Sequence, residues 1–169
     1  MTIKNFSLLF FLLLSVLFSG CGVYNFTGGA IPPDIKTISI PVFYNESGSG
    51  PPTITQTLTE KLKDYYQSNS KLLIVQTNGD WQLSGYITKY TVAPLAPLAN
   101  ETAAQTRLTI AVQVNFINTK DEKQNFSQVF PFYKDFNQNQ SLSSVESDLV
   151  DFILNQIVFD IFTKTTSNW

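Results

Sequence analysis

Alternation between apolar and polar positions dominates the middle of the chain. From Thr106 to Asn118, Leu108, Ile110, Val112, Val114 and Phe116 point one way, while Arg107, Thr109, Ala111, Gln113 and Asn115 point the other. That period of two marks a half-buried strand. Asp80 to Val92 repeats the pattern, with Trp81, Leu83, Gly85 and Ile87 opposed to Gln82, Ser84, Tyr86, Thr88 and Tyr90. Asn125 to Phe136 makes a third such strand, with Phe126, Phe130, Phe132 and Phe136 in phase. A Pro-containing loop at 93–104 and a charged turn at 119–124 separate the three. Upstream, Ile35 to Tyr44 places Ile38, Ile40 and Val42 on one face. Pro41 cannot donate to a ladder, so this strand is expected at a sheet edge. Leu72 to Val75 is a short apolar strand, followed by an Asn78-Gly79 turn.

Two segments have the helical period instead. In Thr53 to Asn69, Ile54, Leu58, Leu62 and Tyr65 recur at steps of 4, 4 and 3, with Thr53 placed to cap. Ser143-Ser144-Val145-Glu146 has the form of a capping box opening a second helix. That helix carries two apolar stripes, Leu149/Phe152/Ile153/Ile157 and Val150/Leu154/Val158/Phe162, and is expected to be buried on two sides. The order strand, helix, strands, helix predicts an α+β two-layer sandwich, with two helices packed on one face of a four-stranded, mostly antiparallel sheet. Placing Ile87 opposite Ile110, Leu83 opposite Val114 and Trp81 opposite Phe116 buries every apolar residue on the helix side.

The first twenty residues have a different character. Lys4 precedes an apolar run from Phe6 to Phe18, broken only by Ser7 and Ser15. A membrane-spanning helix needs about 20 apolar residues, so this shorter run has the size of a signal-peptide core. Ser19-Gly20-Cys21 follows it directly, in the manner of a bacterial lipobox with Phe18 where Leu is usual and Leu17 one position back. The expected organisation is a leader at 1–20, a Gly- and Pro-rich tether at 21–34 lipidated at Cys21, and one domain at 35–169. Gly22 is not the Asp that marks inner-membrane retention in enteric bacteria. No acidic residue precedes Asp34, and both features favour the periplasmic side of the outer membrane.

Composition narrows the chemistry. The chain has no His and one Cys. It therefore has no imidazole base, no Ser-His-Asp triad and no thiolate zinc site. A net charge of −2 argues against nucleic-acid binding, which needs a basic patch. The carboxylates, Asp64, Asp80, Asp121, Glu122, Asp135, Asp148, Asp151 and Asp160 among them, are scattered without a spacing that forces convergence. Neither an enzyme nor a cofactor is expected, apart from the covalent lipid on Cys21.

Only 14% of residues are charged, against roughly 25% in ordinary soluble domains. The shortage shows on the sheet face away from the helices, where Gln82, Ser84, Tyr86, Thr88, Tyr90, Thr109, Ala111, Gln113 and Asn115 are expected. Such a face either meets solvent, as antiparallel sheets commonly do, or meets a polar protein interior. In the second case Tyr86, Tyr90, Thr109 and Gln113 are the candidate partner face, with the tyrosines as anchors. The four in-phase phenylalanines could line a ligand cavity, but core packing under the helices is the simpler use.

Several short segments, in order, resemble the lipopolysaccharide-assembly lipoprotein family LptE in its Bacteroidetes form. They are Cys21 to Gly28 with Ile31-Pro32-Pro33, Lys36 to Ile40, Asn78-Gly79-Asp80, Asn100 to Ile110, and Asp160-Ile161-Phe162 through Asn168-Trp169. The resemblance implies two helices on a four-stranded sheet. It implies a partner, the outer-membrane β-barrel LptD, whose lumen the lipoprotein plugs and whose assembly it assists. It also implies a part in delivering lipopolysaccharide to the outer leaflet. The family is described as contacting lipopolysaccharide through basic residues; Lys89, Arg107 and Lys134, near strand ends, are the candidates here, with ordinary solvated cations as the other reading. A periplasmic lipoprotein adaptor that binds peptidoglycan or another envelope complex is the alternative function.

Overall fold

The computed structural model describes residues 31–96 and 104–167. The leader, Cys21 with most of its tether, and residues 97–103 of the expected loop lie outside the described residues. The elements are β1 (Thr37–Ser39), β2 (Tyr44–Asn45), α1 (Ile54–Asn69), β3 (Leu73–Val75), β4 (Trp81–Pro94), β5 (Gln105–Asn118), a 3₁₀ turn (Glu122–Gln124), β6 (Phe126–Asn137) and α2 (Leu142–Thr166).

The α+β class and both helices are as expected, but the four-stranded antiparallel sheet is not. The sheet has six strands and is mixed, in the order β3-β1-β4-β5-β6, with β2 also paired to β4. β1 runs parallel to both β3 and β4, and β2 parallel to β4. Only β4, β5 and β6 form the antiparallel meander. The reason is connectivity: α1 joins β1 to β3, and a crossover through a helix returns the chain in the same direction. Alternation within a segment carries no information on that direction.

The expected strand at 35–44 breaks in two, and its first part is interior rather than at an edge. Pro41 and Val42 fall between β1 and β2, where no ladder bond is asked of proline. The break shifts the phase by one residue. Val42 is 68% exposed, and Phe43 enters the core in its place. The Phe43 N–H donates to Thr59 Oγ1 on α1 at 3.0 Å.

β3 and β4 lie on opposite sides of β1, so residues 76–80 pass across it. Asn78 takes a φ of 55°, a left-handed conformation that Asn tolerates. A Cβ on Gly79 would stand 2.6 Å from Ser39 N and 2.8 Å from Ile38 C, so only glycine permits this crossing. Asp80 then ties the strands together. Its Oδ2 accepts the Lys36 and Thr37 N–H groups, each at 3.0 Å, and the Thr37 hydroxyl at 2.9 Å. Its carbonyl accepts the Thr119 N–H and hydroxyl, both at 2.9 Å, from the turn after β5. The Lys120 ammonium lies 3.5 Å from Oδ1. These donors, the Lys36 N–H foremost, hold the Asp80 carboxyl at about 2.

The β4–β5 register differs from the expected one by two residues. Trp81 faces Asn118, Leu83 faces Phe116, and Ile87 faces Val112 rather than Ile110. A two-residue slide preserves which side each residue faces, so hydrophobic matching alone does not detect it. A bulge between Ile87 and Lys89 then inserts Thr88, whose hydroxyl donates to the Ala111 carbonyl at 3.2 Å. Beyond the bulge the facing is reversed. Lys89 lies opposite Ala111, and Tyr90 lies opposite Ile110 on the core side. Tyr90 is 8% exposed and its hydroxyl donates to Glu146 Oε1 at 2.6 Å. Burial first, and then Glu146, push its phenol pKa upward.

The helices close the core from one side. Ile54, Leu58, Leu62 and Tyr66 of α1 are buried, with Tyr66 rather than Tyr65 completing the stripe. On α2, Leu149, Ile153 and Ile157 and also Val150, Leu154 and Val158 are buried, as two-sided burial requires, while Phe152 stays half-exposed. Neither expected side-chain cap forms. Thr53 makes no cap bond. The capping box is displaced because α2 starts at Leu142 with Ser141 as cap residue, which leaves Glu146 one turn inside and bonded to Tyr90. Among the described residues no helix is long and apolar enough to cross a membrane.

Between the helices, Lys61 pairs with Asp151 at 2.6 Å and with Asn155 Oδ1 at 2.7 Å. The Tyr66 hydroxyl and Thr165 Oγ1 are 2.6 Å apart in a fully enclosed position. Tyr66→Phe is expected to lower stability by about 1 kcal/mol, since Thr165 keeps its bond to the Phe162 carbonyl. A urea-unfolding midpoint shows this directly. An unchanged midpoint would mean that the contact contributes nothing.

Candidate functional site

The meander leaves one broad sheet face uncovered by helices. Strand pitch alone decides which side chains stand there, since alternate residues share a side. β4 contributes Gln82, Ser84, Tyr86 and, after the bulge, Lys89. β5 contributes Arg107, Thr109, Ala111, Gln113 and Asn115. β6 contributes Ser127, Val129, Pro131, Tyr133 and Asp135. Cross-strand rows follow from the register: Tyr86–Gln113–Val129, Ser84–Asn115–Ser127, Thr109–Tyr133 and Arg107–Asp135.

Side chains are bonded both between neighbouring rows and within them. Gln113 Nε2 donates to Ser127 Oγ at 2.8 Å, and Ser127 Oγ donates to Asn115 Oδ1 at 2.6 Å. Arg107 grips Asp135 with two parallel bonds, Nε to Oδ1 at 2.7 Å and the terminal Nη2 to Oδ2 at 2.9 Å. The same guanidinium lies 3.6 Å from the Tyr133 ring centroid. Hydrogen bonding from Arg107 holds the Asp135 carboxyl below the usual range. Tyr44 of β2 stacks on Tyr86, with centroids 5.0 Å apart and planes 21° apart. Among the described residues, Lys89 is the one charged group of β4, β5 and β6 on this face that stands outside an ion pair. The surface is therefore nearly neutral, with aromatic platforms at two corners and amides and hydroxyls between.

Three of the four expected face residues, Tyr86, Thr109 and Gln113, are on this surface; Tyr90 is not, because the bulge turns it inward. The three expected basic residues do not form one site. Lys89 and Arg107 are on the open face, and Arg107 is neutralised by Asp135. Lys134 is on the helix side, its ammonium 4.2 Å from the Phe152 ring centroid. Tyr44, Tyr133 and Asp135 escaped the sequence reading. The alternation of β6 carried a signal for the last two, since they fall between the in-phase phenylalanines; Tyr44 had none, because the break at Pro41 resets its phase. Among the described residues no group of three or more His, Cys, Asp or Glu side chains gathers as a metal site would require.

Solved structures of low identity align with this chain. An uncharacterised lipoprotein B from Nitrosomonas europaea aligns over 78% of this chain and 83% of its own, with a TM-score of 0.54 and 9% identity. A minor lipoprotein from Acinetobacter baumannii aligns over 79% and 94%, with a TM-score of 0.49 and 16% identity. Rare lipoprotein B from Shewanella oneidensis aligns over 76% and 90%, with a TM-score of 0.49 and 10% identity. No curated protein matches the sequence. The family model described as lipopolysaccharide-assembly, LptE, matches residues 35–165, from just before β1 to the last turn of α2. With all six strands and nearly all of both helices inside that match, the chain belongs to the LptE family of lipopolysaccharide-assembly lipoproteins, an envelope family that works without catalysis.

Proposed function

We propose that this protein is an outer-membrane lipoprotein, anchored through Cys21 on the periplasmic side, that plugs the lumen of an LptD β-barrel. In that position it helps the barrel assemble and assists delivery of lipopolysaccharide to the outer leaflet. The open sheet face supports this reading. Barrel lumens are polar, and an unpaired charge removed from water costs several kcal/mol. A face that pairs Arg107 with Asp135 and, apart from Lys89, otherwise offers amides, hydroxyls and tyrosines meets such a wall at little desolvation cost. Tyr86, Thr109 and Gln113 stand at its centre.

The test is recovery of the tagged, lipidated protein from its own host in mild detergent, with co-purifying proteins identified by mass. A stoichiometric large outer-membrane barrel is the expected companion. The variant Thr109→Asp/Gln113→Glu places two unpaired carboxylates on the face. It should lower barrel recovery by about tenfold or more while changing stability by no more than about 0.5 kcal/mol per site. Full recovery with that variant would show that another face docks. Recovery of the unaltered protein alone, or with cell-wall fragments, would overturn the plug and favour an envelope adaptor.

A further inference from the structure

β6 is the last strand of the sheet, and its outer side has no partner among the described residues. At 12 residues, Phe126–Asn137, it is a long free edge, and a row of unpaired backbone groups is a template for another strand. Which groups face outward follows from β5. The carbonyls of Gln105 and Ala111 are turned toward β4, where they accept the Leu95 N–H at 2.9 Å and the Thr88 hydroxyl at 3.2 Å. The carbonyl of Ala104 is turned the other way and accepts the Gln138 N–H at 3.0 Å. Odd-numbered residues of β5 therefore bond to β4 and even-numbered ones to β6. Even residues of β6 stand opposite even residues of β5. Ser127, Val129, Pro131, Tyr133 and Asp135 are left with their backbone groups on the free edge. Pro131, which has no N–H, falls in this outward set and costs the β5 ladder nothing.

The side chains along this edge are matched to themselves about Pro131. On the helix side Phe130 mirrors Phe132 and Phe126 mirrors Phe136, with Gln128 mirroring Lys134 between them. On the open face Val129 mirrors Tyr133, both half-exposed. Ser127 mirrors Asp135, which Arg107 already neutralises. An antiparallel copy centred on Pro131 sets each mirrored pair face to face. Aromatic then meets aromatic, valine meets tyrosine, and no like charges are opposed. A slide of two residues either way destroys the match, setting Lys134 against Phe126 or Gln128 against Phe136.

We infer that the outer edge of β6 is a pairing surface for a second copy of this chain, and that Pro131 keeps it closed. In the matched register each Pro131 lies opposite the other, at a position where two residues exchange two hydrogen bonds. Neither has an N–H to give, and each ring stands where a donor should meet the opposite carbonyl. The register that matches every side chain is thus the one that proline spoils at its centre. Pairing along this edge needs no barrel.

The experiment is sedimentation equilibrium of the full-length lipidated protein in a density-matched detergent. The parent should remain a single copy. Pro131→Val should form a dimer, associating about tenfold or more tightly because two bonds are regained. Pro131 is exposed and valine suits a strand, so the variant folds. Residue 128 reads the register. In the dimer it faces Lys134 of the other copy at two symmetry-related places. Adding Gln128→Lys to Pro131→Val should therefore return the protein to a single copy, and adding Gln128→Glu should tighten the dimer. Each copy has one β6 edge, so assembly should stop at two. A parent that dimerises as tightly as Pro131→Val, a Pro131→Val protein that stays a single copy, or association indifferent to the charge at residue 128 would each overturn the assignment.

Discussion

Gly85→Ala is expected to unfold at a clearly lower urea concentration than the parent, and Gly85→Val to yield no folded protein. Gly85 sits in β4 opposite Val114. A Cβ built there collides with the backbone carbonyl oxygen of Gln113, and it lies 2.7 Å from Phe43 Cε1. The aromatic ring could swing aside. The carbonyl cannot, because it belongs to the β4–β5 ladder in the middle of the sheet. Overfilling a packed site costs about 1–3 kcal/mol when side chains give way, and more when backbone is the obstacle. Whole domains are stable by only about 5–15 kcal/mol. Soluble yield and the urea midpoint by circular dichroism provide the check. A Gly85→Ala midpoint equal to the parent's would show that the strands do not approach so closely.

Asp80→Ala is expected to cost about 2–3 kcal/mol, because one carboxylate oxygen accepts three donors from Lys36 and Thr37 and their loss leaves those groups unpaired. The sign of the pH effect follows from the carboxyl's low value in the folded protein, about 2 against an ordinary 3.8. A depressed value stabilises the fold wherever the group is ionised. The contribution is therefore complete above the ordinary value and is lost as pH falls from about 4 toward 2. Asp135 and Asp151 are displaced in the same direction, by Arg107 and Lys61, so their contributions too are lost as pH falls below the ordinary carboxyl value. The difference between the parent and Asp80→Asn isolates the Asp80 share. If stability falls equally in both proteins between pH 5 and pH 2, Asp80 is not the clasp described here.

How much of this was legible in the residues depended on range. The alternation of β5 and β6 and the helical periods of α1 and α2 fixed their sides, because local burial follows pitch. The direction of β1 was not legible, because parallel pairing is decided by the crossover through α1 and not by anything within Lys36 to Ile40. Thr88 gave no sign of a bulge, since threonine is as suited to a regular strand as to an interrupted one. For that reason Tyr90 was placed with Tyr86 when it belongs with Glu146. The neutrality of the open face was visible from composition, but the pairing of Arg107 with Asp135 required the β5–β6 register.

The crossing at Gly79 also bears on how the protein would carry mechanical load. A pull on the chain ahead of Ile31 arrives first at β1, which lies inside the sheet and not at its rim. A rim strand peels away one bond at a time. β1 is held along both sides by β3 and β4, crossed by the segment around Gly79, and pinned at its start by the Asp80 carboxylate. Its bonds on both sides must therefore slide together, so force entering from the N-terminal side is met in shear, shared across the middle of the sheet.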